Sequence, residues 1–238
     1  MAGFNRPTTT QTPDALFDHW LARLTGSELR VLLYAVRRTF GFRKDQDAIS
    51  REQFLRGIRT KDGRVLDEGT GIGSGTTLSH AINNLVDHGL LIREKRYTPA
   101  TGNQISLYRT NITAEPLVRP EIGFQPINTT QVPDDLFDYW LSRLGDAELR
   151  VQLYIIRRTL GFRRQADDIA LNHFIRGLMS RDGRVLDEGS GVTSEKAIYR
   201  AIRKLREYGL ITTEQRQSDE RGHLWTRYAV LFAGELPR

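Results

Sequence analysis

The sequence predicts an α+β fold, mainly helical, built as two tandem domains of the same kind. Three observations predict it: the 238-residue chain repeats itself, apolar residues recur at helical spacing in each copy, and each copy ends in two strand-like segments. The repeat has an offset of about 120 residues, with about 45 identities over about 100 ungapped positions. The predicted domains are residues 9–113 and 129–233, joined by a proline-containing, extended linker over 114–128.

Composition narrows the possible functions. The chain has 35 Lys and Arg against 29 Asp and Glu, and this net charge of +6 favours a polyanionic partner, nucleic acid first. The absence of cysteine excludes disulfides, thiolate metal sites and cysteine nucleophiles. No apolar run reaches the roughly 18 residues of a membrane span, and the first residues do not resemble a secretory signal. We therefore expect a cytoplasmic protein with no membrane partner.

Apolar spacing and caps predict two helices at the start of each copy. The segment DALFDHWLARL places apolar residues on one helical face, where Trp20 and its counterpart Trp140 are expected to pack in the core. A capping box from Thr25 to Glu28 begins the next helix, and Gly41 ends it. In each copy, the last turn of this helix carries two arginines that suit either a structural role or a phosphate contact. They are Arg37 and Arg38 in the first copy and Arg157 and Arg158 in the second.

A short strand, two more helices and a hairpin complete each copy. DAIS is a plausible strand, after which Ser50 caps a third helix. Ser74 caps a fourth helix that ends at Gly89, and LLIREKRYTPATGNQISLYRTN has the pattern of two strands around a Pro/Gly turn. The order helix, helix, strand, helix, helix, hairpin is that of a winged helix-turn-helix domain, in which the hairpin is the wing.

The insertion RTKDGRVLDEGTG separates the last two helices, where a helix-turn-helix normally has a short turn. Its Asp-Gly step, present in both copies, predicts a small hairpin. Two interpretations are open. The hairpin is a structural flap whose Asp67 and Glu68 pair with nearby arginines, or it is a contact arm that uses the basic residues Lys61, Arg64, Arg181 and Arg184.

The stretch GTGIGSGTTL, residues 69–78, raises the question of a phosphate cradle. The second copy answers it, because Thr193 stands in place of Gly73 and Glu195 in place of Gly75. A cradle needs backbone close to the anion, and neither the P-loop ending nor the GxGxxG spacing is present. The stretch therefore predicts the start of a helix, with Ser74 and Ser194 as N-caps, and no nucleotide cofactor.

The two helices that begin at Ser74 and Ser194 differ most where they would face a ligand. The first presents small polar side chains, whereas the second carries five basic residues against two acids. Asn and Thr read base edges, while Lys and Arg mostly neutralise phosphates, although Arg also reads guanine. We expect the first copy to read bases with its helix and to bind phosphate with its basic wing, REKRY. We expect the second copy to use Arg200 and Arg203 for both base and phosphate contacts. The wing of the second copy, EQRQSDER, is more acidic. The predicted DNA-contacting residues are Ser74, Thr76, Thr77, Ser79, His80, Asn83, Asn84, Arg93, Lys95, Arg96, Ser194, Lys196, Tyr199, Arg200, Arg203, Lys204 and Arg216.

The run LTGSELRVLLYAVRRTFGFRKDQDAIS, followed by a helix and GTGIGSGTTLSHAINNLVDHGLL, resembles a known family. It is similar to the amino-terminal DNA-binding domain of bacteriophage replication initiators of the replication protein O type, and to winged-helix regulators more generally. The resemblance implies origin binding and replisome assembly. This chain departs from the family pattern by carrying the module twice.

The sequence thus predicts a sequence-specific double-stranded DNA-binding protein, a replication initiator or origin-binding protein of a mobile element. A transcriptional regulator and a protein-interaction adaptor are the alternatives, so replisome or transcription proteins are candidate partners. The chain is expected to act as a monomeric pseudo-dimer or as a homodimer. It shows no catalytic set, and its five histidines lack metal-ligand spacing, so we expect no enzyme activity, metal or cofactor.

Overall fold

The computed structural model describes residues 3–4, 8–99, 102–112, 128–217 and 224–233, with no side-chain description at 216–217 and 224–225. The protein has a mixed α/β structure with several small sheets. In the described ranges, no helix has both the length and the apolar character of a membrane span.

The described part of the first copy contains three regular helices and eight short strands. Its elements are β1 (Thr9–Pro13), a π-helical turn (Leu16–Trp20), α1 (Gly26–Thr39), a 3-10 turn (Phe40–Phe42), β2 (Asp47–Ala48), α2 (Arg51–Arg56), β3 (Ile58–Arg59), β4 (Val65–Asp67), α3 (Gly75–Asp87), β5 (Leu91–Glu94), β6 (Tyr97–Thr98), β7 (Gly102–Asn103) and β8 (Leu107–Thr110).

The second copy repeats this order at a spacing of 120 residues, except that its described residues contain no counterpart of the pair β6–β7. Its elements are β9 (Thr129–Pro133), a π-helical turn (Leu136–Trp140), α4 (Asp146–Thr159), a 3-10 turn (Leu160–Phe162), β10 (Ala166–Asp168), α5 (Leu171–Arg176), β11 (Leu178–Met179), β12 (Val185–Asp187), α6 (Glu195–Glu207), β13 (Ile211–Gln217) and β14 (Leu224–Val230). Each copy holds a three-stranded antiparallel sheet, ordered β2-β8-β5 in the first and β10-β14-β13 in the second.

The predicted helix caps are confirmed. Thr25 and Glu28 form a reciprocal capping box at the start of α1, and Ser50 forms another with Gln53 at the start of α2. The Ser74 side chain accepts a hydrogen bond from the Thr77 amide at the start of α3. These side chains satisfy backbone donors that a helix start leaves without a partner, which explains why the sequence locates the helix starts so well.

The predicted hairpin inside the insertion is also confirmed, and we call it the flap: β3–β4 in the first copy and β11–β12 in the second. Its Glu68 forms an ion pair with Arg143 of the other copy, as the structural interpretation requires. Asp67 instead accepts hydrogen bonds from the Tyr34 hydroxyl and the Gly69 amide, both at 3.0 Å. The flap base is therefore fixed to the body of the protein, whatever its basic tip contacts.

A strand that the sequence analysis does not predict joins the two copies. β1 pairs with β9 in antiparallel register, and Gln11 lies opposite Gln131, its own equivalent 120 residues later. The other contacts are reciprocal too: the Glu68 amide donates to the Asp138 carbonyl at 3.0 Å, and the Glu188 amide donates to the Asp18 carbonyl at the same distance. An interface in which equivalent residues exchange partners is isologous, so a pseudo-two-fold axis passes between the two glutamines.

Arg37 and Arg157 form largely buried ion pairs across this interface. Each donates two hydrogen bonds to one aspartate of the other copy and contacts a second, and their side chains are only 13% and 10% exposed. A bidentate guanidinium–carboxylate pair fixes geometry as well as charge. The pairs are Arg37 with Asp138 at 2.7 Å and Asp134 at 3.1 Å, and Arg157 with Asp18 at 2.7 Å and Asp14 at 3.0 Å.

The shared Arg-Arg-Thr-x-Gly-Phe run builds this interface. A β-carbon at Gly41 would lie 2.7 Å from both Arg37 Nη1 and Thr10 Oγ1, so glycine leaves the space that Arg37 needs. The Phe42 ring lies 4.9 Å from Arg37 Cζ, and Arg38 pairs with Asp47 at 2.7 Å. Of the two roles left open for these arginines, the structure supports the structural one.

One buried residue breaks the equivalence of the two copies. Gln152 of α4 is fully buried, and its side-chain nitrogen and oxygen have no hydrogen-bond partner among the described residues, whereas the equivalent Leu32 is apolar. Replacing Gln152 by leucine is expected to raise the free energy of unfolding by about 1–3 kcal/mol, because an unsatisfied buried amide is removed. Urea unfolding measures this change, and Leu32→Gln should lower stability. A lower midpoint for Gln152→Leu would contradict the expectation.

Candidate nucleic-acid interface

The helices α3 and α6 present polar outer faces to solvent in the two copies. Their inner faces are buried, through Leu78, Ala81, Ile82 and Leu85 in α3 and the equivalent residues of α6. Each helix follows a short helix and the flap, and each leads directly into the sheet of its own copy. The sequence thus places one capped, amphipathic helix per copy where its outer side chains are available to a ligand.

On α3, the predicted residues fall into two groups. Thr76, Thr77 and His80 are exposed. The others make hydrogen bonds within the protein: Ser79 Oγ donates to the Gly75 carbonyl at 2.9 Å, and Asn83 Oδ1 accepts from Arg93 Nη2 at 3.0 Å. The second bond joins the outer face of α3 to the first wing, so the structure brings these two predicted contact surfaces together.

On α6, the predicted basic residues are mostly exposed. Lys196 and Arg200 have no ion-pair partner among the residues that the structure describes, and the Tyr199 side chain is 59% exposed. Arg203 lies 3.8 Å from Glu207 in an exposed pair, a contact that contributes little to stability. The outer face of α6 is therefore a positively charged surface.

Asn84 and Lys204 occupy equivalent positions and bind equivalent glutamates. Asn84 Nδ2 donates to Glu28 Oε1 at 2.7 Å, and Lys204 Nζ lies 2.9 Å from Glu148 Oε1. Both glutamates also accept the backbone amide at the start of their helix, through the capping interaction. These two predicted DNA-contacting residues thus have partners on α1 and α4, and they tie each outer helix to the helix beneath it.

The wings are described in part. Lys95 and Arg96 are exposed beyond the end of β5, and Arg93 is half-buried. The Arg216 side chain and the tip of the second wing, residues 218–223, lie outside the described residues. The first wing therefore offers two exposed cations beside α3.

Comparison with protein families identifies the first copy. The family model described as bacteriophage replication protein O matches residues 10–107. Residues 10–107 are therefore similar to that family, and we call them the replication protein O domain. The match begins in β1 and ends in β8, so it includes the interface arginine Arg37, α3 and most of the first wing. No curated protein matches the chain.

In the replication protein O domain, two glycines of the stretch 69–78, Gly69 and Gly71, serve packing. Gly69 and Gly71 have positive φ of 74° and 75°, and a β-carbon at Gly71 would lie 2.8 Å from backbone atoms of Ser142 in the other copy. Gly75 opens α3 behind its serine cap. The stretch is the start of a helix, as its altered copy predicts.

Sequence reasoning missed a basic residue of the replication protein O domain. Arg51, at the start of α2, lies against Gly75 at the start of α3. The signal for it is a double difference between the copies, because Leu171 and Glu195 occupy the two equivalent positions. This double difference indicates a contact only once positions 51 and 75 are known to touch.

A cleft of about 1750 Å³, lined by the second copy and by Thr9 of β1, was also missed. It lies between the end of α6, the sheet formed by β10, β13 and β14, and the turn after α4. The replication protein O domain has fewer basic residues at the equivalent positions, since Asn83, Val86 and Leu107 stand where the second copy has arginines. The arginines that line the cleft are Arg163, Arg164, Arg203, Arg206 and Arg227.

The described residues contain no group of His, Asp and Glu side chains that could hold a metal ion. The outer faces of α3 and α6 offer hydrogen-bonding groups and cations to a ligand. Threonine, histidine and asparagine on α3 suit base edges, and lysine and arginine on α6 suit phosphates and guanine.

Proposed function

We propose that each copy is a winged helix-turn-helix domain and that the chain is a sequence-specific double-stranded DNA-binding protein, a replication initiator that recognises the origin of a mobile element. The family of residues 10–107 supports the replication role. The observation that carries the DNA-binding proposal is the exposure of Thr76, His80, Lys196, Arg200 and Arg203 on the outer faces of two equivalent capped helices. In helix-turn-helix proteins the second helix is the one that enters the major groove.

The pseudo-two-fold axis supports a specific arrangement of the DNA site. Two recognition helices related by such an axis read half-sites in inverted orientation. The outer side chains of α3 and α6 differ, with His80 and Asn83 at the positions of Arg200 and Arg203, so the two half-sites should differ in sequence. The isologous contacts are satisfied inside one chain, which favours a monomeric pseudo-dimer as the binding unit.

Selection from a random double-stranded DNA library tests this proposal. We expect a site made of two inverted, unlike halves, and an affinity whose logarithm falls steeply with the logarithm of salt concentration. A plasmid whose origin region carries the selected site should replicate only when the chain is supplied. A direct repeat would contradict the two-fold arrangement, a perfect palindrome would contradict unlike halves, and binding without a replication effect would favour a transcriptional regulator.

A protein-interaction adaptor is the second candidate, favoured by apolar residues on the flaps. Val65 and Leu66 are 40% and 49% exposed, and the equivalent Val185 and Leu186 are 49% and 43% exposed. Exposed aliphatic side chains that recur in both copies suit a protein partner. A chain that selects no DNA sequence and shows a flat salt dependence would favour this function over DNA binding.

A further inference from the structure

Gly75 leaves the space in which the Arg51 guanidinium lies. A β-carbon at position 75 would lie 2.6 Å from Arg51 Cζ and 2.8 Å from Arg51 Nε, closer than atoms of this kind approach. Arg51 is exposed, and the conflicting atoms are the far end of a flexible side chain. A side chain at position 75 would therefore move the guanidinium without disturbing the backbone.

The second copy lacks both members of this arrangement. Leu171, at the position of Arg51, packs against the edge of the core. Glu195, at the position of Gly75, is exposed at the start of α6. The start of the recognition helix thus carries a cation in one copy and a carboxylate in the other.

The position of Arg51 suits contact with a base. No acidic side chain among the described residues pairs with it, since the neighbouring Glu52 pairs with Arg56 at 3.0 Å. In helix-turn-helix proteins, the first residues of the recognition helix are those that contact base edges. A guanidinium there can bind guanine O6 and N7 together, whereas a carboxylate accepts from cytosine N4.

We propose that Arg51 is a base-contacting specificity determinant of the half-site read by α3, and that Gly75 holds that position open for it. This inference rests on the proposed DNA-binding function. It assigns a reading residue to α2, outside the recognition helix, and it makes the first half-site prefer a guanine that the second half-site does not require.

A double-mutant cycle on the full chain tests the inference. The variants are Arg51→Ala, Gly75→Ala and the double substitution, each measured on the site that the wild-type chain selects. Arg51→Ala is expected to weaken binding about 10-fold and to relax selection at one guanine of the first half-site. Gly75→Ala should act in the same direction by displacing Arg51, and in the Arg51→Ala background it should have no further effect.

Gly73→Ala is the matched control, because position 73 is exposed and a β-carbon there meets no atom within 4 Å. It should bind like the wild type, and Gly75→Ala should not lower the unfolding midpoint. Unchanged affinity in Arg51→Ala overturns the inference, as does a uniform loss across sequences, which would mark a phosphate contact only. If the effects of the two substitutions on affinity add up in the double variant, Gly75 does not act through Arg51. Failure of the proposed function would appear earlier, as a wild-type chain that selects no sequence.

Discussion

Replacing Arg157 by alanine is expected to lower the free energy of unfolding by about 3–5 kcal/mol. The Arg157 side chain is only 10% exposed and binds Asp18 at 2.7 Å and Asp14 at 3.0 Å across the interface between the copies. Its removal leaves two partly buried carboxylates side by side without their cation. Urea unfolding of the full chain at neutral pH measures the loss.

The loss should depend on pH in a defined direction. Burial raises the pKa of Asp14 even though Arg157 opposes this, and without Arg157 the pKa of Asp14 rises further. A carboxyl whose pKa is raised in the folded state gains stability as pH falls through that value, because the folded state binds the proton more tightly. The deficit of Arg157→Ala should therefore be largest at neutral pH and smaller in mild acid.

Arg23→Ala is the control for this prediction. Arg23 also crosses the interface, where its Nε donates to Glu188 at 2.7 Å, but its side chain is 52% exposed. An exposed pair contributes less than about 1 kcal/mol, so this variant should unfold nearly as the wild type does. Equal losses for the two variants would show that burial of the charge is not what makes the Arg157 contact matter.

Replacing Arg200 and Arg203 by alanine is expected to weaken DNA binding by about 1–3 kcal/mol for each residue that reads a base. Both side chains are exposed, and the Arg203–Glu207 distance is 3.8 Å, so folding should not suffer. Fluorescence anisotropy at several salt concentrations measures the effect. Loss of a base contact should also remove a sequence preference. Loss of a phosphate contact should instead reduce the slope of log affinity against log salt concentration by about 0.9.

The first copy supplies the reciprocal experiment. His80→Arg with Asn83→Arg gives α3 the side chains that α6 has at the equivalent positions. The selected site should then become more symmetric in its two halves. If the alanine variants bind as tightly as the wild type, the second copy does not contact DNA and the pseudo-dimer proposal fails.

Local signals in the sequence predict most helices and the flap. The caps at Thr25, Ser50 and Ser74 and the buried stripe of α3 lie within a few residues of the bonds they form, so pattern and contact coincide. β1 was missed because its partner strand lies 120 residues away, and a short threonine-rich segment gives no sign of pairing at that distance. Secondary structure is set locally here, whereas the relation of the two copies is not.

The candidate site shows the same division. Exposure of Thr76 and Arg200 follows from helical spacing alone. The bonds of Asn84 to Glu28 and of Lys204 to Glu148 join different helices, so no local pattern in the sequence predicts them. Arg51 was missed for the same reason, since its position depends on the absence of a side chain on another helix.

The two copies related by the pseudo-two-fold axis at Gln11 and Gln131 belong to one chain, so their sequences can differ, unlike those of two identical chains. A homodimer on a palindrome looks the same from upstream and from downstream. Here the backbone contacts are symmetric while the outer side chains are not, so a complex on the proposed site has only one polarity. A protein recruited by one copy would then bind on one side of the proposed origin only. The chain itself would set the direction of the replication fork.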